Sequence, residues 1–244
     1  MWVTLVPFFI SCYYFREGKA HERMGIDMNT SEWKEAVIQN AILYLRENFS
    51  QESSGHDYQH ALRVYRSATA LAETENADLF TVQLAALLHD WDDVKISPET
   101  AKGKDRAVRF MRDQKLPPDT IQSICRLIDE ISFNGTGDSV PSTIEGKCVQ
   151  DADRLDALGA IGIARAFAYG GHHNRVMYDP QLSPRETMTE AEYRNGNSTT
   201  VNHFYEKLFR LKDLMNTPAA KALAEQREQF MREFLKQFIQ EWNG

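Results

Sequence analysis

Apolar residues recur three or four positions apart along most of the chain, which is the spacing of one face of an α-helix. The pattern begins near residue 30, where Trp33, Val37 and Ala41 share one face. Thr30 or Ser31 is available to cap the start, because a hydroxyl side chain can accept a hydrogen bond from a first-turn N–H. The pattern therefore predicts an amphipathic first helix.

Four more helices are predicted before residue 132. The second runs from about Asp57 to Glu75, and Asp78 can cap a third whose core reads VQLAALLH. Two others are indicated by the apolar positions in 108–111 and 121–131. Because the third helix is almost entirely apolar, we expect it to lie at the centre of the fold.

The second half of the chain is also predicted to be helical. Residues 147–168 combine small and apolar residues, which predicts one buried helix, whereas residues 169–198 contain several Gly and Pro and predict a long irregular excursion. Two closing helices follow, the first holding Phe204, Leu208 and Leu211 and the second carrying Phe230, Phe234, Phe238 and Trp242 on one stripe. No long stretch alternates between apolar and polar residues. The predicted fold class is therefore all-α, a compact helical bundle.

The length of 244 residues fits one compact domain, which we predict to span residues 28–244. The first fifteen residues are apolar, but the run ends at Arg16 and Glu17 and is too short to cross a membrane. Met28 stands where regular helical patterning begins. We therefore interpret residues 1–27 as an extension, disordered or encoded from an upstream start, with a short membrane-surface anchor as the alternative.

The formal net charge of −7 and the absence of a basic stretch argue against duplex nucleic acid as a partner. The three cysteines, Cys12, Cys125 and Cys148, are far apart in sequence and form no C-x-x-C motif. An odd number of dispersed cysteines suits a reducing compartment, so we predict a cytoplasmic protein without a membrane span. The oligomeric state stays open, and a homodimer is one possibility.

Four residues with metal-binding side chains stand near the ends of predicted helices. They are His60, the adjacent pair His89 and Asp90, and Asp153. Two imidazoles and two carboxylates suit a borderline or hard divalent ion. An isolated ionised carboxylate is costly to bury at the end of an apolar helix, and a bound cation removes that cost. The sequence therefore predicts a single-ion site built from helices.

The segments around these residues read GHDYQHALRVY, ALLHDWDDVK and VQDADRLDALG. Together they resemble the HD-domain superfamily of metal-dependent phosphohydrolases, which is named for the adjacent His-Asp pair. The resemblance extends over about residues 29–242 and is to small bacterial HD hydrolases that act on nucleotides. It implies an all-α HD-domain bundle with the metal between central helices, held by His60, His89, Asp90 and Asp153.

Two of these assignments have rivals close by in the sequence. His56 lies one turn before His60, and the family pattern favours His60 as the ligand, leaving His56 as a substrate-binding or structural residue. Asp151 is the rival of Asp153, and since the two are i and i+2 they should point in different directions on a helix. The histidines at 172–173 receive no role beyond substrate contact.

The resemblance also implies an acidic residue that orients or deprotonates the attacking water. Asp93 is the candidate, three positions after Asp90, with Asp92 as its alternative. Lys95 and Arg63 are candidates for contact with substrate phosphate, and Lys95 would then also stabilise charge during the reaction. Basic residues beside carboxylates are also often simple ion pairs.

From the resemblance we expect one divalent ion, with Mn first and Mg, Co, Ni or Fe as further candidates. The expected substrate is a phosphorylated small molecule, namely a nucleoside triphosphate cleaved to monophosphate and pyrophosphate, or a nucleotide that loses phosphate. An alternative is a regulatory module that binds nucleotide or metal without turnover, but the complete ligand set counts against it. A two-iron oxygenase ranks last because residues 91–152 contain no histidine.

Overall fold

The computed structural model describes residues 30–49, 57–92, 99, 103–131, 139–185 and 198–244. The fold is all-helical, as predicted. The elements are α1 (Ser31–Phe49), α2 (Tyr58–Glu75), α3 (Leu79–Leu88), α4 (Asp105–Asp113), α5 (Pro118–Ile131), α6 (Ile144–Asp156), α7 (Gly159–His172), α8 (Thr200–Glu206), a 3₁₀ segment (Leu208–Leu214) and α9 (Pro218–Asn243). The prediction for residues 1–27 and the candidates His56, Asp93 and Lys95 lie outside the described residues.

The predicted helix starts are confirmed by their caps. The Trp33 N–H donates to Thr30 Oγ1 at 3.3 Å, and the His60 N–H donates to Asp57 Oδ1 at 2.7 Å. Asp78 caps α3 in the same way. Each cap satisfies an N–H that the helix itself leaves unpaired. The Asp57 cap therefore fixes His60 in the first turn of α2.

Helix α3 lies at the centre and packs against α1, α2, α5 and α6, as its apolar sequence predicts. The chain just after α3 is anchored by Trp91, which is fully buried. The Trp91 ring stacks on Tyr44 with ring centroids 4.2 Å apart and meets the edge of Phe110 at 5.1 Å. These contacts hold the His-Asp pair that immediately precedes Trp91.

The prediction of a single helix over residues 147–168 is wrong, because the chain breaks between α6 and α7. Leu158 is extended and Gly159 has φ of 71°, a left-handed conformation that favours glycine. Just beyond, a Cβ on Gly162 would lie 2.2 Å from the Ala157 carbonyl oxygen. The small residues therefore serve a tight turn between two helices, and Asp156 becomes the last residue of α6.

The prediction for the closing helices also needs correction. The first is two elements, since α8 ends at Glu206 and a 3₁₀ segment follows Lys207. In α9, Phe234 and Phe238 pack against Phe167, with ring centroids 5.9 and 5.6 Å apart. Other members of the predicted stripe are exposed, and the buried face of α9 is formed instead by Ala220, Ala224, Glu228, Met231 and Leu235. Small alanines allow the start of α9 to approach the bundle closely.

The predicted excursion at 169–198 begins later than expected, because α7 continues to His172. Residues 173–185 are irregular, and residues 186–197 lie outside the described part of the chain. Arg185 and Ser198, which flank that gap, both donate to the Glu206 carboxylate. Among the helices of the described residues, none combines the length and apolar character needed to cross a membrane.

Candidate metal centre

Side chains from α2 and from the end of α3 converge at the centre of the bundle. His60 Nε2 lies 3.4 Å from Asp90 Oδ2, and His89 Nε2 lies 3.1 Å from the same oxygen. One ligand atom from each of these three residues falls within 4.8 Å of the others. The group can therefore hold a metal ion.

Asp153 approaches the same point from the last turn of α6. Its Oδ1 lies 3.4 Å from His60 Nε2, and its side chain is 39% exposed. The group of ligand atoms within 4.8 Å of one another comprises His60, His89 and Asp90 and does not include Asp153. Burial raises the pKa of the Asp153 carboxyl, but the hydrogen bond and charge of His60 outweigh burial and hold that pKa below its ordinary value. The carboxylate is therefore ionised and partly open to solvent.

Both imidazole rings are held by their Nδ1 atoms. His60 Nδ1 is 2.7 Å from Asp156 Oδ2, and His89 Nδ1 is 2.8 Å from the carbonyl oxygen of Ala86. A hydrogen bond to one ring nitrogen sets which nitrogen is left to bind a metal. Both Nε2 atoms are therefore turned toward the convergence point.

One atom of this site is buried without a hydrogen-bond partner. It is His89 Nε2, which has none among the described residues, although Asp90 Oδ2 lies 3.1 Å away. A buried polar atom left unpaired costs free energy. Two imidazole nitrogens with carboxylate oxygens around them are a donor set that suits a divalent ion. The residues present therefore fit a metal.

The pKa of His60 shows how negative the site is. Burial lowers the pKa of His60, but hydrogen bonds to Asp153, Asp156 and Asp90 raise it by more than burial lowers it. The pKa of His60 therefore stands well above the ordinary value of 6.5. Three carboxylates thus stabilise a positive charge at this position. A divalent cation would satisfy the same carboxylates.

Asp156 was missed by sequence reasoning, although it follows Asp153 by one helical turn. Besides His60, its carboxylate binds Arg63, whose Nε lies 2.6 Å from Oδ1 and whose Nη2 lies 3.0 Å from Oδ2. Arg165 binds the same carboxylate. The Arg63 guanidinium, predicted to contact substrate phosphate, is thus engaged by Asp156 while its side chain stays 29% exposed.

Asp151, the rival of Asp153, has a different environment. It is fully buried and accepts hydrogen bonds from the backbone and side chains of Asn216 and Thr217. Those contacts tie α6 to the start of α9. Asp151 therefore has a structural role that the spacing of the sequence alone left open.

Three further candidate residues make contacts with other parts of the fold. Asp92 accepts from the backbone N–H groups of Arg106 and Ala107 at 3.2 and 3.0 Å, so its carboxylate holds the start of α4. His172 and His173 are exposed at the end of α7, where the His173 ring stacks on Tyr169 with centroids 3.9 Å apart. Nothing among these contacts connects them to the metal ligands.

Lys207, between α8 and the 3₁₀ segment, was also missed. Burial lowers the pKa of Lys207, and the charge of Asp153 acts in the opposite direction. The lysine is therefore near enough to Asp153 for the two charges to interact. Only the folded chain reveals this, because 54 positions separate them in sequence.

The comparisons with known proteins agree with the geometry. The family profile described as HD domain matches residues 57–158, which contain all four predicted ligands. In sequence the chain is 40% identical over 201 residues to the protein YpgQ of Bacillus subtilis strain 168, covering 80% of this chain and 88% of that protein. The crystal structure of YpgQ in complex with ADP has a TM-score of 0.69 and covers 86% of this chain and 96% of that one, with 33% identity in the structural alignment.

Two more solved structures are similar over most of their length. A protein from Lactobacillus plantarum has a TM-score of 0.70 and 42% identity, covering 88% of this chain and 98% of its own. An HD-superfamily hydrolase from Bacillus thuringiensis has a TM-score of 0.70 and 40% identity, covering 86% of this chain and 99% of its own. The fold and the site together define a metal-dependent phosphohydrolase. The chain belongs to the HD-domain superfamily.

Proposed function

We propose that the chain hydrolyses a phosphate bond of a nucleotide with one divalent ion, Mn²⁺ first, held by His60, His89, Asp90 and Asp153. The observation that carries the proposal is the buried Nε2 of His89, which has no hydrogen-bond partner among the described residues and lies where the other ligand atoms converge. The favoured reaction converts a nucleoside triphosphate to a monophosphate and pyrophosphate, and release of phosphate from a nucleotide is the alternative. The ADP bound to the similar protein YpgQ supports a nucleotide substrate.

When bound, the ion supplies Lewis-acid chemistry that makes water more acidic and neutralises charge on phosphoryl oxygens. The residues of the chain would hold the ion and orient its ligands. Asp156 and the Ala86 carbonyl fix the rings of His60 and His89, so that neither ring must reorient during turnover. The Asp153 side chain is partly exposed, so we expect substrate and water to approach the ligands from that side.

We propose that Asp93 positions the attacking water and accepts its proton. The water oxygen forms a bond to phosphorus, the bond from phosphorus to the leaving oxygen breaks, and the leaving group departs with its electron pair. Lys95 and Arg63 would stabilise the negative charge on the phosphoryl group, and His56 would contact the substrate. For Arg63 the support is its position, since it contacts Asp156 beside His60 and stays partly exposed.

A nucleotide screen tests the proposed activity. Purified full-length chain is incubated with nucleoside mono-, di- and triphosphates in the presence of Mn²⁺, Mg²⁺, Co²⁺ or Ni²⁺, and phosphate and pyrophosphate are both measured. We expect metal-dependent release of pyrophosphate from a triphosphate, fastest with Mn²⁺. Tight nucleotide binding with no product under any metal would overturn the proposal in favour of a regulatory module.

A pair of variants tests the proposed base. Asp93→Asn should keep the ion but lower kcat by about 10²–10⁴, which is the usual contribution of general acid-base catalysis. Asp92→Asn is the matched control, because Asp92 binds the start of α4 and should affect stability more than the rate of folded, metal-loaded enzyme. Wild-type turnover in metal-loaded Asp93→Asn would remove Asp93 from the mechanism.

We also propose a reducing, cytoplasmic setting for the chain. Of its cysteines, Cys125 and Cys148 lie in the described residues and both are free. Burial raises the pKa of the Cys148 thiol to about 12, so it stays protonated and unreactive. Labelling of the native and unfolded chain with a thiol reagent, after isolation without reductant, would count the free thiols.

A further inference from the structure

A cavity lies between α2, the start of α7 and α9. Its volume is about 320 Å³, and its charged lining consists of Arg63, Arg66, Arg227 and Asp156. Asp156 contacts the Nδ1 side of His60, whereas the metal ligands converge at Nε2. The cavity is therefore on the opposite side of the His60 ring from the metal centre.

The charges around this cavity are unusual for an acidic chain. Three guanidinium groups line it against one carboxylate, although the chain as a whole carries a formal charge of −7. That carboxylate, Asp156, is already bound by Arg63 and by Arg165 from α7. The cavity is thus left with positive charge that its own lining does not neutralise.

The arginines differ in how firmly contacts with other residues hold their side chains. Arg66 is exposed, and its side chain makes no hydrogen bond or ion pair with another described residue. Arg227 is half-buried and uses Nη1 to donate to the Leu155 carbonyl oxygen, which orients the guanidinium. A Cβ at Gly159 would lie 3.1 Å from Arg227 Cγ, so glycine leaves the space that the Arg227 side chain occupies. The fold therefore places one arginine firmly and leaves another available.

We propose that this cavity binds the phosphate group of a small phosphorylated molecule through Arg66 and Arg227, at a site separate from the metal centre. Arg63 is held by Asp156 and is not assigned to this site. Guanidinium groups present paired N–H donors that match phosphate oxygens. The first turn of α7, Gly159–Ile161, also lines the cavity, and Leu158 provides no side-chain cap for it, so backbone N–H groups add to the arginines. The inference goes beyond the proposed hydrolysis and does not depend on it.

Titration calorimetry on the full-length, metal-free chain tests the proposal without turnover. Inorganic phosphate and pyrophosphate are the probes, because removal of the ion leaves the metal centre carboxylate-rich and repulsive to anions. We expect saturable binding of one anion per chain. Equal affinity for the two probes would assign a single phosphate group, and tighter binding of pyrophosphate would assign two adjacent groups.

Three substitutions locate the binding. Arg66→Gln and Arg227→Gln should each weaken it about tenfold or more, the usual effect of losing one charge-assisted hydrogen bond. Arg126→Gln, which removes an exposed arginine from α5, should leave the affinity unchanged. Arg66 is exposed, so its variant should fold even if Arg227→Gln does not. The proposal is overturned if neither probe binds the wild-type chain, or if Arg66→Gln binds as well as wild type.

Discussion

Asp151 and Asp153 stand two residues apart on α6 and meet opposite surroundings. Asp151 is fully buried, and its oxygens accept from Asn216 and Thr217 at 2.8 to 2.9 Å. Asp153 is 39% exposed and lies 3.4 Å from His60 Nε2. Protein donors complete the hydrogen bonding of the first carboxylate, whereas the second faces a cluster in which a buried imidazole nitrogen still has no hydrogen-bond partner.

Helix geometry explains how neighbours come to differ in this way. Residues advance by about 100° along an α-helix, so positions i and i+2 face nearly opposite sides. One side of α6 meets the start of α9, and the other meets α2 at the metal centre. A carboxylate whose oxygens are all hydrogen-bonded to protein donors stabilises the fold. A partly exposed carboxylate beside histidines is available to bind an ion.

The largest expected effect is on turnover in Asp153→Asn. Removing one negative ligand should weaken metal binding, and the several kcal/mol of charge stabilisation that a metal supplies correspond to about 10³-fold or more in rate. The unfolding free energy of the metal-free chain should change by less than about 1 kcal/mol, because the side chain is partly exposed. Steady-state kinetics and urea unfolding measure the two quantities. A stable variant with wild-type kcat would refute the ligand role of Asp153.

The reverse pattern is expected for Asp151→Asn. An amide places an N–H₂ group against donors of Asn216 and Thr217, leaving buried groups unpaired at a cost of about 3 kcal/mol. For a domain of this size the melting temperature should fall by about 6–12 °C. Folded Asp151→Asn should keep wild-type metal affinity, and a loss of affinity without loss of stability would contradict the comparison.

Asp156 should give an intermediate effect, because it acts through His60. Asp156→Asn weakens the hold on the His60 ring and should lower Mn²⁺ affinity by about 10- to 100-fold, as is typical for residues behind metal ligands. Asp113→Asn, an exposed change at the end of α4, is the control and should have no effect. Calorimetric titration with Mn²⁺ at fixed pH measures both. Unchanged affinity in Asp156→Asn would show that the ring needs no such support.

Glu206, like Asp151, is a carboxylate whose oxygens accept hydrogen bonds from protein donors. Its substitution should have the smallest effect, and that effect should depend on pH. Burial raises its pKa, but hydrogen bonds from Arg185 and Ser198 prevail and hold the pKa below the ordinary 4.5. A lowered folded pKa means that the stabilisation is present above about pH 4.5 and is lost as the pH falls through the folded value. Glu206→Gln should therefore cost about 2 kcal/mol at neutral pH, and the difference from wild type should shrink below pH 4.5. Urea unfolding from pH 7 to 4 measures it, and a difference that grows with acid would have the wrong sign.

The parts of the fold that sequence could predict are those set by local chemistry. The helix start near Asp57, the Asp78 cap and the apolar run of α3 depend on residues within a turn or two, and the structure confirms them. The break at Leu158 was not predicted, because small residues favour both close helix contact and a tight turn. Asp156 was missed since its partner His60 lies 96 positions away and meets it only in the folded chain.

Within the site too, residues in a local motif could be predicted from the sequence, whereas contacts between residues far apart in the sequence could not. The adjacent His89 and Asp90 form a motif that can be read directly, and the structure brings them to His60. The i and i+2 spacing predicts that Asp151 and Asp153 point in different directions, and the resemblance implies Asp153 as the ligand, but the spacing alone does not decide which of them faces the histidines. That choice is made by the packing of α6 against α2 and α9.

The most direct test of the account is the Mn²⁺ content of wild type, Asp151→Asn and Asp153→Asn after loading and gel filtration. Each sample is checked for folding by circular dichroism, and bound metal per chain is measured by mass spectrometry. The account predicts about one ion per chain in wild type and in folded Asp151→Asn, and much less in Asp153→Asn. One ion in folded Asp153→Asn together with none in folded Asp151→Asn would contradict it.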